Sequence, residues 1–303
     1  MDLSIVIPVY NEKESLAFLR EELSSTLRHL NLDYEIIFVD DGSNDGSGEI
    51  LKELVKKDEH LRLITLRKNF GKARALAIGF REARGEIIVT LDADLQDAPG
   101  ELPKFLEKLK EGYDLVNGYR VKRLDPISKR WPSKIFNFIL ASLSRVKLHD
   151  LNCGFKVFRS EVLQDISLAP GMHRYIPLFV QAAGYKVTEL KITHRPRRFG
   201  YSKYGLKRFY HGFFDILSVL FLLYFRRKPL YLFGGIGTIM ILLGMAICLN
   251  ITLFWLRVGR QGASNRPLLF LGILFIIVGT QFISTGLLGE MIVSLNKDDG
   301  ETK

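Results

Sequence analysis

With 303 residues the chain exceeds one ordinary domain, yet its last quarter is so apolar that the soluble part shrinks to about 200 to 230 residues, the size of one α/β domain. A formal charge of +10 suits a nucleic acid, an anionic membrane or a phosphorylated substrate. Only two cysteines, Cys153 and Cys248, are present and they stand far apart, so neither a disulfide framework nor a zinc site is supported; the six histidines lack metal-ligand spacing and read as surface or packing residues.

In chain order, residues 3–9 are strand-like, with no basic region, long apolar segment or cleavage site before them. No secretory signal is read, and the large domain is expected on the cytosolic side. Leu16, Leu19, Leu23, Leu27 and Leu30 recur at helical spacing. A second strand, 34–39, ends in Asp40-Asp41-Gly42-Ser43, and Asn44-Asp45-Gly46 then turns the chain into a helix that runs through Leu54. A third strand, 61–66, leads through Arg67-Lys68-Asn69-Phe70-Gly71-Lys72 to a helix with Ala73, Leu76, Ala77 and Phe80 on its buried face. The apolar run Ile87-Ile88-Val89-Thr90-Leu91 is a fourth strand, and residues 115–118 are a fifth, leading to Tyr119-Arg120.

This alternation predicts an α/β fold with a mostly parallel sheet. Ligands of open α/β sheets gather beyond the carboxyl ends of the strands, where Asp40, Asp41, Asp92, Asp94 and Arg120 all fall. Beyond Arg120 the pattern predicts a helix near 133–146, a short strand at 155–158, a late strand at 186–192 and a basic, aromatic segment from His194 to Tyr204. Residues 206–225 read as one or two helices in the membrane interface. Residues 231–256 and 268–289 carry no charge and are long enough to span a bilayer. A hairpin of two spans puts the 257–267 loop outside, and Arg226-Arg227-Lys228 before the first span agrees with that orientation. The expected organisation is a cytosolic domain at 1–204, juxtamembrane helices at 205–228, spans at 229–258 and 268–290 joined by an external loop at 259–267, and a cytosolic tail at 291–303, loose from Asn296 on. Asn250, Gln281 and several glycines in the spans suit close helix contacts, and a homo-oligomer is expected.

Asp92 and Asp94 are the most informative residues. Buried carboxylates side by side repel, so a positive group should sit between them. Hard cations such as Mg²⁺ or Mn²⁺ take oxygen ligands and share their coordination between one or two carboxylates and substrate phosphates. Residues two apart on a strand share a face, so both aspartates could approach one ion or one diphosphate. Asp150 is the candidate for a further carboxylate near the reacting centre, either orienting the sugar or acting as a base.

Six motifs, in order over about 200 residues, resemble glycosyltransferase family 2 with its GT-A (Rossmann-like) fold, in particular the polyprenyl-phosphate glycosyltransferases akin to dolichol-phosphate mannose synthase. They are Ile7-Pro8-Val9-Tyr10-Asn11-Glu12, Asp40-Asp41-Gly42-Ser43, Asn69-Phe70-Gly71-Lys72, Asp92-Ala93-Asp94-Leu95-Gln96-Asp97-Ala98-Pro99, Asn152-Cys153-Gly154-Phe155-Lys156 and Gly200-Tyr201-Ser202-Lys203. The paired spans most resemble the bacterial branch that charges undecaprenyl phosphate with glucose or a related sugar.

The resemblance implies that Pro8, Tyr10, Asn11, Glu12, Asp40 and Asp41 hold the nucleotide. Asp92, Asp94 and Gln96 would gather at the Mg²⁺ or Mn²⁺ and the donor diphosphate, with Lys72, Ala93 and Lys203 also on the donor side. Arg120, Arg130, Ser133, Arg197 and Arg198 would grip the acceptor phosphate. It further implies inverting transfer from a nucleotide sugar, UDP-glucose first and GDP-mannose as the alternative, to a polyprenyl phosphate in the cell membrane. A processive polysaccharide synthase would carry Gln-x-x-Arg-Trp, but Ile127 stands where that motif needs Gln before Arg130-Trp131. A non-catalytic nucleotide-sugar sensor or scaffold is disfavoured by the joint presence of the aspartates and the acceptor-side cations, and a nucleic-acid binder by the lack of any recognised module.

Overall fold

Seven strands pair into one sheet in the order β3-β2-β1-β4-β6-β5-β7. They are β1 (Leu3–Val9), β2 (Tyr34–Asp40), β3 (Leu61–Thr65), β4 (Ile87–Thr90), β5 (Leu115–Arg120), β6 (Lys156–Arg159) and β7 (Val187–Ile192). The helices are α1 (Leu16–Arg28), α2 (Ser47–Lys57), α3 (Lys72–Glu82), α4 (Leu102–Lys110), α5 (Val162–Asp165), α6 (Ile176–Ala182), α7 (Lys207–Tyr224), α8 (Pro229–Val258) and α9 (Arg266–Glu301). This computed structural model describes residues 1–121, 148–166, 172–196, 198–199, 207–225, 228–258 and 266–301. The helix expected near 133–146 and the candidate residues Arg130, Ser133, Arg197 and Lys203 lie outside the described residues. The chain divides into two units, Met1–Val219 and Leu220–Lys303.

In the first unit every strand pair is parallel except the two made by β6. The carboxyl ends of β1, β2, β4, β5 and β7, and the amino end of β6, therefore open on one edge. Side chains alternate across the sheet. Leu3, Ile5, Ile7 and Val9 of β1 share a core with Leu16, Leu19, Leu23 and Leu27 of α1 and with Leu102, Phe105 and Leu109 of α4. Val6 joins the opposite core, with Ala75, Leu76 and Phe80 of α3 and Ile176 and Val180 of α6. Burial on both faces explains why these strands read as continuous apolar runs.

The opposite, amino edge of the sheet is closed by a polar network. Glu35, buried in β2, accepts bonds from Ser4 Oγ at 2.7 Å, Arg62 Nη1 at 2.6 Å and Arg84 N at 2.8 Å. Burial alone would raise this carboxyl, but the hydrogen bonds from Arg62 and Ser4 hold it below its ordinary value.

In the second unit, α8 and α9 contain two segments long and apolar enough to cross a membrane, Pro229–Arg257 and Pro267–Leu295. Both leave nearly all of that apolar surface exposed, unlike the core helices of a soluble protein. They pack on each other through glycines seven residues apart: a Cβ on Gly237 would lie 2.5 Å from Gly279 O, and one on Gly244 2.5 Å from Gly272 O. These glycines serve contacts within the hairpin, whereas Asn250 and Gln281 are exposed on its surface. Residues 296–301, expected to be loose, continue α9, in which no proline interrupts the i to i−4 bonding before Glu301.

Candidate active site

The loops after β1 and β2 are tied to each other. Asn11, with a left-handed φ of 53°, donates its N–H to Ser43 Oγ at 2.9 Å and accepts from Asn44 N at 2.9 Å, while Glu12 N donates to Ser47 Oγ at 3.0 Å. Asp40 and Asp41 are both buried. Asp40 accepts from Ser43 N at 3.0 Å, and Asp41 accepts from Phe70 N at 2.7 Å and Gly71 N at 2.8 Å. Asp41 thus brings the Asn69–Lys72 motif to the site edge and sets the start of α3. Neither aspartate caps α2, whose N-cap is Gly46.

Lys72, the first residue of α3, forms a hydrogen-bonded ion pair with Asp92. It is a positive partner of the kind the paired carboxylates demanded. The geometry of the pair differs from the sequence argument, because β4 stops at Thr90 and strand alternation does not extend to Asp92 and Asp94. Both sit in the following loop, where Leu95 adopts φ of 60° and Gln96 N donates to Asp94 Oδ1 at 3.2 Å. A left-handed leucine is costly, so the loop's other contacts must hold it there. Asp94 is 9% exposed, while the Asp92 side chain keeps 32% of its surface open. Burial would raise the Asp92 carboxyl, but the charge and hydrogen bond of Lys72, with help from Arg120, bring it below its usual value.

The opposite side of Asp92 meets the Asn152–Lys156 motif. A Cβ on Gly154 would lie 2.6 Å from the Asp92 carboxyl, so only glycine lets backbone approach that closely. Thr90 Oγ1 donates to Gly154 O at 2.6 Å, and Lys156 Nζ, buried, donates to Cys153 O and Leu151 O. Burial lowers this lysine to about 8. Arg120, at the end of β5, binds Asp150 through Nε at 2.7 Å and Nη2 at 3.2 Å. Asp150 is 1% exposed and also accepts from Asn152 N at 3.2 Å. Burial works against the Arg120 cation, yet Asp150 raises its pKa above the ordinary value.

The structure therefore brings Lys72, Asp92, Ala93, Asp94 and Gln96 together on one loop and the start of α3, with Arg120, paired to Asp150, at the end of β5 two strands along the sheet. Pro8 lies near the end of β1, and Tyr10, Asn11 and Glu12 follow it. Arg198, beyond β7, places its guanidinium over the ring of Phe18 in α1 at 4.9 Å. Three further polar residues received no role from the sequence. His173 is kept neutral by burial and then by the Lys72 charge. Lys156 braces the motif just described. His194, after β7, meets Asp97 in an isolated antiparallel bridge.

Among the described residues no three His, Cys, Asp or Glu side chains are grouped to hold an ion by themselves. By their chemistry, the carboxylates of Asp92 and Asp94 are oxygen donors of the type that a hard cation shares with substrate phosphates and water.

The Glycosyl transferase family 2 model matches residues 4–167, more than half of the chain. A dodecaprenyl-phosphate galacturonate synthase of Rhizobium johnstonii is 33% identical over 297 residues, covering 96% of this chain and 88% of the relative. An undecaprenyl-phosphate 4-deoxy-4-formamido-L-arabinose transferase of Yersinia enterocolitica is also 33% identical over 297 residues, covering 98% and 89%. Among solved structures, the glucosyl-3-phosphoglycerate synthase of Mycobacterium tuberculosis, crystallised with Mn²⁺, UDP-glucose and phosphoglyceric acid, superposes with a TM-score of 0.56 at 20% identity, over 73% of this chain and 79% of that one. That likeness shows a shared fold, and the full-length relatives and the family model show the rest: the chain belongs to glycosyltransferase family 2, among the polyprenyl-phosphate glycosyltransferases.

Proposed function

We propose that the enzyme transfers a sugar, with inversion, from a nucleotide diphosphate sugar to the phosphate of a polyprenyl phosphate at the cytosolic face of the cell membrane. The observation that carries this reading is the half-open Asp92 carboxylate, held between Lys72 and the Gly154 backbone beside Asp94, at the sheet edge where Arg120 also ends its strand. Pro8 to Glu12 and the loops held by Asp40 and Asp41 bind the nucleotide. Asp92, Asp94 and Gln96 hold Mg²⁺ or Mn²⁺, which when bound supplies positive charge to the departing diphosphate. Lys72 then exchanges its carboxylate partner for a donor phosphate oxygen.

The acceptor is already an anion at neutral pH, so its attack needs placement and desolvation more than a base. Arg120 supplies a fixed cation for it, with Arg130, Ser133, Arg197 and Arg198 as further contacts and Lys203 on the donor diphosphate. Bidentate pairing commits Asp150 to orienting Arg120, which favours a positioning role over proton transfer. Two apolar helices retain the domain at the bilayer where the lipid resides, and copies associate into a homo-oligomer.

For the donor we propose a UDP-linked sugar, with glucose expected from the sequence. Two relatives are named for galacturonate and 4-deoxy-4-formamido-L-arabinose, and those sugars are the further candidates. Purified protein, undecaprenyl phosphate and Mn²⁺ incubated with UDP-glucose, UDP-galacturonate, UDP-4-deoxy-4-formamido-L-arabinose and GDP-mannose decide the matter. A lipid-extractable sugar phosphate from one UDP-sugar supports the reading. Transfer from GDP-mannose alone replaces the donor, and no lipid product from any of them overturns the reaction.

A further inference from the structure

Two buried polar atoms beside the acidic loop have no hydrogen-bond partner among the described residues: Asp97 Oδ1 and His194 Nδ1. Their side chains are 3% and 1% exposed, and the two atoms lie 3.8 Å apart. Unsatisfied polar atoms at such depth are rare, and closing on each other, directly or through one water, satisfies both. The other Asp97 oxygen already faces the Cys153 thiol at 3.9 Å. Burial and then the Asp97 charge keep that thiol protonated, so it serves as an S–H donor to Oδ2 and leaves Oδ1 for the imidazole. Backbone fixes the pair in register, through the Asp97–His194 bridge and an Arg195 N to Gln96 O bond of 2.9 Å.

The far side of the imidazole meets Gln96: His194 Nε2 lies 3.4 Å from Gln96 Nε2. A carboxylate at Nδ1 favours the tautomer with its proton on Nδ1, which leaves Nε2 as an acceptor. An acceptor there takes the amide N–H of Gln96, and a side-chain amide that spends its nitrogen on the histidine has its oxygen to spare. With the opposite tautomer the amide would reverse and offer N–H groups to the ion site, where they bind no cation. We propose that Asp97 and His194 form a positioning couple that fixes the Gln96 amide with its oxygen available to the donor's cation. This rests on the reading of Asp92, Asp94 and Gln96 as the cation's ligands, and it assigns to His194 and Asp97 a task that neither performs by touching the ion.

The test is Mn²⁺ binding to the full-length protein in detergent with UDP present, the free ion being read by electron paramagnetic resonance. Asp94→Asn tests the underlying reading and should weaken binding. Gln96→Ala, His194→Leu and Asp97→Asn should each weaken it about 10- to 100-fold, the range for partners that orient a metal ligand. Asp97→Asn keeps the shape of the side chain but can offer an N–H to Nδ1 and so select the wrong tautomer. Its thermal midpoint should stay at the wild-type value while affinity falls, which a packing role would not produce. In the Gln96→Ala background, His194→Leu should cause no further loss. Wild-type affinity in Asp97→Asn, or a loss in the double variant equal to the product of the single losses, overturns the couple and in the second case makes His194 a ligand itself. If His194→Leu does not fold, Asp97→Asn decides. Should Asp94→Asn bind normally, or the wild type bind no Mn²⁺, the ligand reading falls and takes this inference with it.

Discussion

Gly154 and Arg120 show how individual residues at this edge divide between chemistry and support. An alanine at 154 would force its methyl into the Asp92 carboxyl, which must then move. A misplacement of about 1 Å at a reacting centre costs on the order of 100-fold in rate. Gly154→Ala is therefore expected to lose about that factor in turnover with little change in thermal midpoint, as steady-state transfer and calorimetry would show; near-normal turnover would separate Asp92 from the reaction. Arg120→Ala should raise the acceptor KM and also destabilise the domain, because it strands the Asp150 carboxylate in a site where it is 1% exposed. Breaking a buried pair from one side costs about 3 to 5 kcal/mol. Urea titration of Arg120→Ala alone and with Asp150→Ala should show the double variant less destabilised than the sum of the two single variants.

Lys156 makes a pH-dependent contribution with a definite sign. Its ammonium has an ordinary value of 10.5, brought down to about 8 by burial in the folded domain. Between these two values the unfolded chain binds more protons than the folded one, so the stability due to Lys156 rises as pH increases from 8 towards 10.5. Below 8 both states are protonated and the penalty is constant. Comparing wild type with Lys156→Met by chemical denaturation at pH 7.5 and 9.5, wild type should gain on the variant at the higher pH. A difference that does not change with pH would mean that the lysine is not desolvated.

At the scale of elements, the central strands β1, β2 and β4 were legible because they are buried on both faces, and the helices because their apolar residues recur on one side. Their positions in the sequence needed only local periodicity. β6 was found but not its direction, since a four-residue strand carries no local signal for antiparallel pairing. The acidic motif was also legible, though not its setting: the end of β4 at Thr90 and the left-handed Leu95 depend on contacts from elsewhere. His194 was passed over as a packing residue because its partner Asp97 is nearly a hundred positions away in sequence. The two edges of the sheet can be told apart by experiment. Glu35→Ala at the amino edge removes one acceptor each from Arg62, Ser4 and the Arg84 N–H, although Arg62 keeps Glu82 and Arg84 N keeps Ser4 Oγ. It should cost about 1 to 3 kcal/mol in stability and leave both substrate KM values unchanged; a shifted donor KM would show that the edges communicate.

The whole molecule joins a glycosyltransferase family 2 domain to a glycine-packed apolar hairpin, and under the proposed function the charge of +10 would serve the phosphate groups of both substrates and an anionic bilayer. The central claim is that acidic side chains beyond β4 drive transfer onto a lipid-borne phosphate. It is tested most directly by the rate at which purified Asp94→Ala moves labelled sugar into lipid-extractable product, with wild type alongside and thermal midpoints measured on both. The account predicts that transfer is abolished in a variant that melts like wild type. Near-normal transfer by a folded Asp94→Ala would contradict it.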